Sequence, residues 1–189
     1  MVGAYREEGI GAAYVFIKPP RGWANMTQTA ELTASDAQIY DCFGCSVAIS
    51  GNTVVVGASG AAIGGNTAQG AAYVFVEPPT GWTNMTETAK LTASDGASDA
   101  QFGTSVAMSG NTLVVGAPAT SLMQGNAYVF VEPQSGWTDM TQTAELVPSD
   151  GFDNDNFGTS VSISGDTVVV GAPADADGGL KAWTGVRIC

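Results

Sequence analysis

Phe102-Gly103-Thr104-Ser105-Val106-Ala107-Met108-Ser109-Gly110-Asn111-Thr112-Leu113-Val114-Val115-Gly116-Ala117-Pro118 is the stretch whose reading decides the fold. Its first half, segment a (Phe102 to Ser109), alternates Val106 and Met108 with Ser105 and Ala107, the period of a half-buried strand. Gly110-Asn111 then suits a two-residue hairpin turn that needs positive φ. Segment b (Thr112 to Val115) is apolar throughout, as a strand covered on both faces must be. These residues therefore predict an antiparallel hairpin that enters a sheet.

Working outward, the same pattern returns. Phe-Gly recurs at Phe43, Phe102 and Phe157, and Ala-Tyr-Val-Phe at Ala13, Ala72 and Ala127, in both cases after 59 and then 55 residues. Gly-Trp follows at Trp23, Trp82 and Trp137, and Val-Gly-Ala begins at Val2, Val56, Val115 and Val170. Each full unit adds segment c (Ala127 to Glu132), stopped by Pro133, and segment d (Thr143 to Val147). Four antiparallel strands repeating at this length predict an all-β chain of propeller blades. A β-solenoid is the main competitor, but its coils are usually shorter and carry no two distinct turn types per unit. The units fall at 1–34 (a partial blade, c and d), 41–93, 101–148 and 156–189 (a partial blade, a, b and a degraded c), within a single region 1–189. In the last unit, Ala182-Trp183 stands where Ala-Tyr of segment c belongs.

The run from Phe102 to Pro118 resembles the FG-GAP repeat of integrin α-subunit propellers and of many bacterial and algal surface proteins, and the likeness extends to Pro173. The resemblance implies a secreted or cell-surface, non-catalytic module that binds protein or glycan ligands. It also implies calcium between segments a and b. Here only Ser-Gly-Asn or Ser-Gly-Asp stands there, and a two-residue turn cannot supply six or more oxygens, so no cofactor is expected. Asp150, Asp153 and Asp155, and Asp175 and Asp177, lack the spacing of an EF-hand and read as solvated turns.

Composition sets the outer bounds. The 189 residues are 44% hydrophobic and 13% charged, with 25 Gly, enough for a β-rich core joined by tight turns. Net charge is −12, which argues against nucleic acid or anionic lipid as partner. No apolar run approaches the roughly 18 residues of a membrane helix, so no membrane insertion is expected, and Met1-Val2-Gly3-Ala4 reads as no signal peptide. Cys42 and Cys45 form a lone CxxC in a chain without histidine, a poor zinc site, and read as small apolar residues at a strand start. Cys189 reads as an exposed thiol.

The interval from Phe to the glycine of Val-Gly-Ala is 14 residues in every copy, and from Gly-Trp to the next Phe it is 21. Length therefore varies only in the b to c loop, and variable loops on a constant scaffold are where ligands bind. Antiparallel pairing puts the b to c and d to a loops at one end. That face would gather Glu7, Glu8, Asp36, Asp41, Asp95, Asp99, Asp150, Asp153, Asp155, Asp175 and Asp177 beside Arg6, with Lys18 and Arg21 at the opposite end. The bland alternative is that acidic loops keep a Gly-rich protein in solution. The tryptophan array reads as packing between blades rather than a sugar-stacking row. Asn25-Met26-Thr27 and Asn84-Met85-Thr86 are sequons, replaced by Asp139-Met140-Thr141 in the third copy.

No catalytic, cofactor-binding or metal-binding residue is assigned. The leading expectation is a binding or adhesion module. The alternatives are a self-assembling structural protein, because two whole and two half blades leave open edges, and a carbohydrate-active enzyme working through paired carboxylates. The segment Leu180 to Ile188 would cap an edge if the chain stays single.

Overall fold

A computed structural model describes residues 1–4, 9–174 and 186–187. Arg6, Glu7, Glu8, Asp175, Asp177, Ala182-Trp183 and Cys189 lie outside the described residues, as does most of the expected cap at Leu180 to Ile188.

The described residues form four sheets that follow one another along the chain. The first holds β1 (Val2–Ala4), β2 (Ala12–Val15) and β3 (Ala30–Thr33). The second holds β4 (Phe43–Ser50), β5 (Thr53–Ala58) and β6 (Ala71–Val76), passes β7 (Met85–Thr86), and ends with β8 (Ala89–Thr92). The third runs through β9 (Ser105–Ser109), β10 (Thr112–Ala117), the single helical turn α1 (Thr120–Met123), β11 (Asn126–Val131), β12 (Met140–Thr141) and β13 (Ala144–Leu146). The last holds β14 (Ser160–Ser164), β15 (Thr167–Gly171) and β16 (Val186–Arg187). The strand order β4-β5-β6-β8 and its copy β9-β10-β11-β13 are antiparallel meanders, the expected four-stranded blades.

The hairpins form as their sequence dictates. Gly51, Gly110 and Gly165 take φ of 57°, 58° and 54° at the first turn position, as a type II′ turn requires. Strand b is covered on both faces: β5 is buried over its whole length, which explains its unbroken apolar run. One cluster joins Leu32 and Val15 of the first blade to Phe43, Val56, Tyr73 and Phe75 of the second. A second cluster joins Val55, Val74 and Leu91 to Phe102, Leu113 and Phe130 of the third. The core thus lies between sheets, not inside any one of them. Phe43, Phe102 and Phe157 are all buried, and each of the first two meets a Tyr and a Phe of its own blade at 5.5–6.1 Å between ring centroids.

One feature the strand pattern did not disclose is a clip between blades. β7 leaves its own sheet and pairs in parallel with β3 of the preceding blade, Leu32 against Met85, and β12 does the same with β8. Asn84 Oδ1 accepts from the Glu31 amide at 2.9 Å, and Asp139 Oδ1 from the Lys90 amide at 2.8 Å. Glu87 and Gln142 each take the amide of a serine, Ser35 or Ser94, at 2.9 Å. The second sequon is therefore a docking element, and Asp139 replaces Asn84 because only an Oδ1 acceptor is needed.

Two glycines on strand b carry the tightest packing. A Cβ on Gly57 would overlap the Gly103 carbonyl oxygen, and one on Gly116 the Gly158 carbonyl, each belonging to the next blade. At Gly51 a Cβ meets nothing within 4 Å. Gly57→Ala is expected to cost about 3 kcal/mol, because backbone must retreat along a whole junction. Gly51→Ala should cost about 1 kcal/mol, from positive φ alone. Urea titration of both variants checks this: equal losses would show that the junction is not close-packed.

Candidate functional site

The b to c and d to a loops do meet at one end. Asp99 N donates to Thr67 O at 2.8 Å and Phe102 N to Gln69 O at 2.9 Å. In the next blade Asn154 N donates to Leu122 O at 3.2 Å and Phe157 N to Gln124 O at 2.9 Å. At the first junction Tyr40 N donates to Gly9 O at 3.2 Å. These ladders make one loop face.

Four of its acids are occupied by structure. Asp36 accepts from the Tyr73 hydroxyl at 2.9 Å and pairs with Lys90, whose ammonium also lies 5.4 Å from the Tyr73 ring centroid. Burial alone would raise the Asp36 carboxyl, but the bonds from Lys90 and Tyr73 outweigh it and its pKa is lowered. Asp95 takes the equivalent bond from Tyr128 at 3.2 Å. Both tyrosines are pushed upward, first by burial and then by these carboxylates, so each stays a neutral donor. Asp41 accepts from the Gln38 amide at 2.8 Å and Asp155 from the Phe152 amide at 2.7 Å, closing equivalent loop turns while buried. Asp36 and Asp95 keep exposed edges despite these bonds, and Asp99, Asp150 and Asp153 are exposed too.

The loop tips are also partly apolar. Ile39 and Tyr40 stand out at the first junction, and Leu122, Met123 and Phe152 at the third. Tyr40 is 84% exposed with φ at 77°, a position filled by Asp99 and Asn154 in later copies at 63° and 73°. Asp and Asn tolerate this conformation; tyrosine does so at a cost. Charge counting along the chain concealed these residues; their signal was the departure of Tyr40 from the Asp and Asn of its copies.

The cysteines sit beside a Phe-Gly bulge. Cys45 takes the place of Thr104 and Thr159, and its thiol donates to Gly103 O at 3.4 Å and lies 3.6 Å from Ser59 Oγ. Among the described residues no group of three His, Cys, Asp or Glu side chains converges as a metal set. Trp82 and Trp137 are 8% and 5% exposed, packed between blades, whereas Trp23 is 68% exposed.

Where the second blade has Lys90, the third has Glu145, beside Asp95. Asn126 compensates by donating Nδ2 to the Glu145 carboxylate and to the Tyr128 hydroxyl. Burial first, and Asp95 next, raise the Glu145 carboxyl above its ordinary 4.5. A carboxyl raised in the folded state is stabilising when protonated, and that benefit is lost as pH climbs from about 4.5 through the raised value. Glu145→Gln should therefore stabilise the fold by about 0.5 kcal/mol at neutral pH and by nothing near pH 4. Thermal melts at the two pH values check the sign.

Three segments, residues 26–75, 85–130 and 140–183, match the family model described as the FG-GAP repeat. No curated protein matches the sequence. The matched segments span most of the chain and follow the blades whose Phe-Gly bulges, buried b strands and inter-blade clips have been described, so the chain belongs to the FG-GAP repeat family.

Proposed function

We propose that the chain is a non-catalytic, extracellular binding or adhesion module that recognises a protein ligand through the loop face, with no metal or cofactor. The observation that carries this reading is the exposure of Leu122, Met123 and Phe152 at one junction and of Ile39 and Tyr40 at another, on loops whose backbones are hydrogen-bonded to one another. Aromatic and apolar side chains on a pre-organised frame are the usual anchors of protein interfaces, and a polar rim here comes from Asp99, Asp150 and Asp153. Keeping Tyr40 in a left-handed conformation is a stability cost without a packing return, as expected of a residue held for binding. The polar ties around Asp95, Asp36 and Tyr73 hold this frame, which supports binding over carboxylate chemistry there.

The test uses arrays of immobilised cell-surface proteins and of glycans, probed with the 189-residue chain. Retention by a protein should weaken at least about tenfold in a Tyr40→Ser, Leu122→Ser, Phe152→Ser variant, and should survive Lys18→Glu with Arg21→Glu at the other end. Retention by glycans alone, or loss from the opposite-end variant, would overturn the reading. Separately, Tyr40→Asn should stabilise the fold by about 1 kcal/mol while weakening retention. Unchanged stability in a melt would show that the tyrosine bears no strain.

A further inference from the structure

The turn that carries the Phe-Gly bulge of the second blade differs from its two copies at matched positions. Cys42 stands where they have Gln101 and Asn156, Cys45 where they have Thr104 and Thr159, and Ser59 where they have Pro118 and Pro173. The backbone does not change with them. Cys45 N donates to Cys42 O at 3.0 Å, and Thr104 N and Thr159 N donate to Gln101 O and Asn156 O at 3.2 Å. Cys42, Gln101 and Asn156 hold φ of 57°, 56° and 56°.

What changes is the side chain available to close the turn. Thr104 and Thr159 each donate a hydroxyl back across it, to Gln101 O at 2.8 Å and to Asn156 O at 2.7 Å. The second blade has no hydroxyl at that position and has a cysteine at both ends of the turn instead, each half-buried and each carrying a thiol. The Cys45 thiol donates to Gly103 O at 3.4 Å, and the Ser59 hydroxyl lies 3.6 Å from its sulfur, where proline would offer only carbon.

We propose that Cys42 and Cys45 are a thiol–disulfide exchange site, which closes as a disulfide across the turn in place of the hydroxyl tie of the other copies. The hydrogen bond from residue 45 to residue 42 keeps their Cα atoms within about 7 Å, and disulfides span about 4.4–6.8 Å. The oxidant is a small disulfide such as oxidised glutathione. One cysteine thiolate attacks a glutathione sulfur and expels one glutathione thiolate. The other cysteine then attacks the protein sulfur of the mixed disulfide and expels the second. Two protein thiols become one disulfide, one glutathione disulfide becomes two thiols, and the two protein protons end on them.

The blade junction accommodates the oxidised form. Gly103 O loses the Cys45 thiol but keeps the Ser46 hydroxyl at 2.7 Å, so the buried carbonyl retains a donor. Phe43 and Gly44, held between the two sulfurs, form the bulge that packs on the first blade, so the bond fixes that contact directly.

The 189-residue chain, folded and separately unfolded in urea, is equilibrated with graded ratios of reduced to oxidised glutathione and trapped by alkylation. Trypsin cuts after Arg21, Lys90 and Arg187, so Cys42 and Cys45 share a peptide that excludes Cys189. By mass, that peptide should lose two hydrogens and carry no glutathione, and dithiothreitol should restore both thiols. The folded chain should favour the bond at least about tenfold over the unfolded one, because folding already closes the turn. Glutathione adducts with no internal bond, thiols still fully alkylated at the most oxidising ratio, or a folded chain without that preference would each overturn the proposal.

Discussion

The carbonyl of the Phe-Gly glycine is the contact from which the rest of the architecture follows. At Gly103 and Gly158 it projects from a bulge with φ of 92° into the preceding blade, where a serine hydroxyl donates to it and a strand-b glycine leaves room for it. A side chain at Gly57 or Gly116 would fill that room, and one at Gly70 or Gly125 would strike the backbone of the incoming phenylalanine. Because the group is a buried backbone carbonyl, leaving it without a donor would cost as much as losing a hydrogen bond. The bulge must therefore arrive at one place on the neighbouring sheet. That requirement explains why the interval from Phe to the b-strand glycine never varies while the b to c loop does.

Once the bulges are placed, the phenylalanine rings fall between sheets and the clips fall on the outer strands. Polar side chains then seal the rim: Asp36 or Asp95 receives a tyrosine from the blade that follows, and Asp41 or Asp155 closes the turn before the bulge. Substitutions at this rim come in matched sets. Lys90 neutralises Asp36 in one copy, and where Glu145 occurs instead, Asn126 has replaced a small residue and supplies the missing donor. Of the described loop-face acids, Asp36 and Asp95 tie neighbouring blades, whereas Asp41 and Asp155 close their own turns. What these ties leave over is the exposed loop tips.

Among the described residues the main contacts between blades run between neighbours, so stability accrues junction by junction as in other repeat proteins. The surfaces that make a junction are the same on every blade, and a blade without a neighbour presents them to solvent. Trp23 and Leu146 differ from their buried counterparts in this respect alone, since the residue types are unchanged.

The four-strand unit, its turns and its interior aromatics were legible from residue order, because strand alternation, glycine turns and a doubly covered strand b are local properties that leave a period in the chain. Position of the loops was legible too, since antiparallel connection decides which loops share an end. Three things were not. The clip at Met85-Thr86 is two residues long and pairs with another blade, so no periodicity marks it, and its sequence reads equally well as a glycosylation signal. The division of the acids into ties and solvated tips depends on which carboxylate reaches a tyrosine some 37 or 33 residues away. The exposure of Tyr40, and its left-handed backbone, depends on how the loop is held between Gly9 and Asp41. The sequence by itself determined the repeating unit, because that is written in short-range pattern; only the tertiary structure decided which of its repeated residues face a neighbour and which face water, because that depends on contacts between blades.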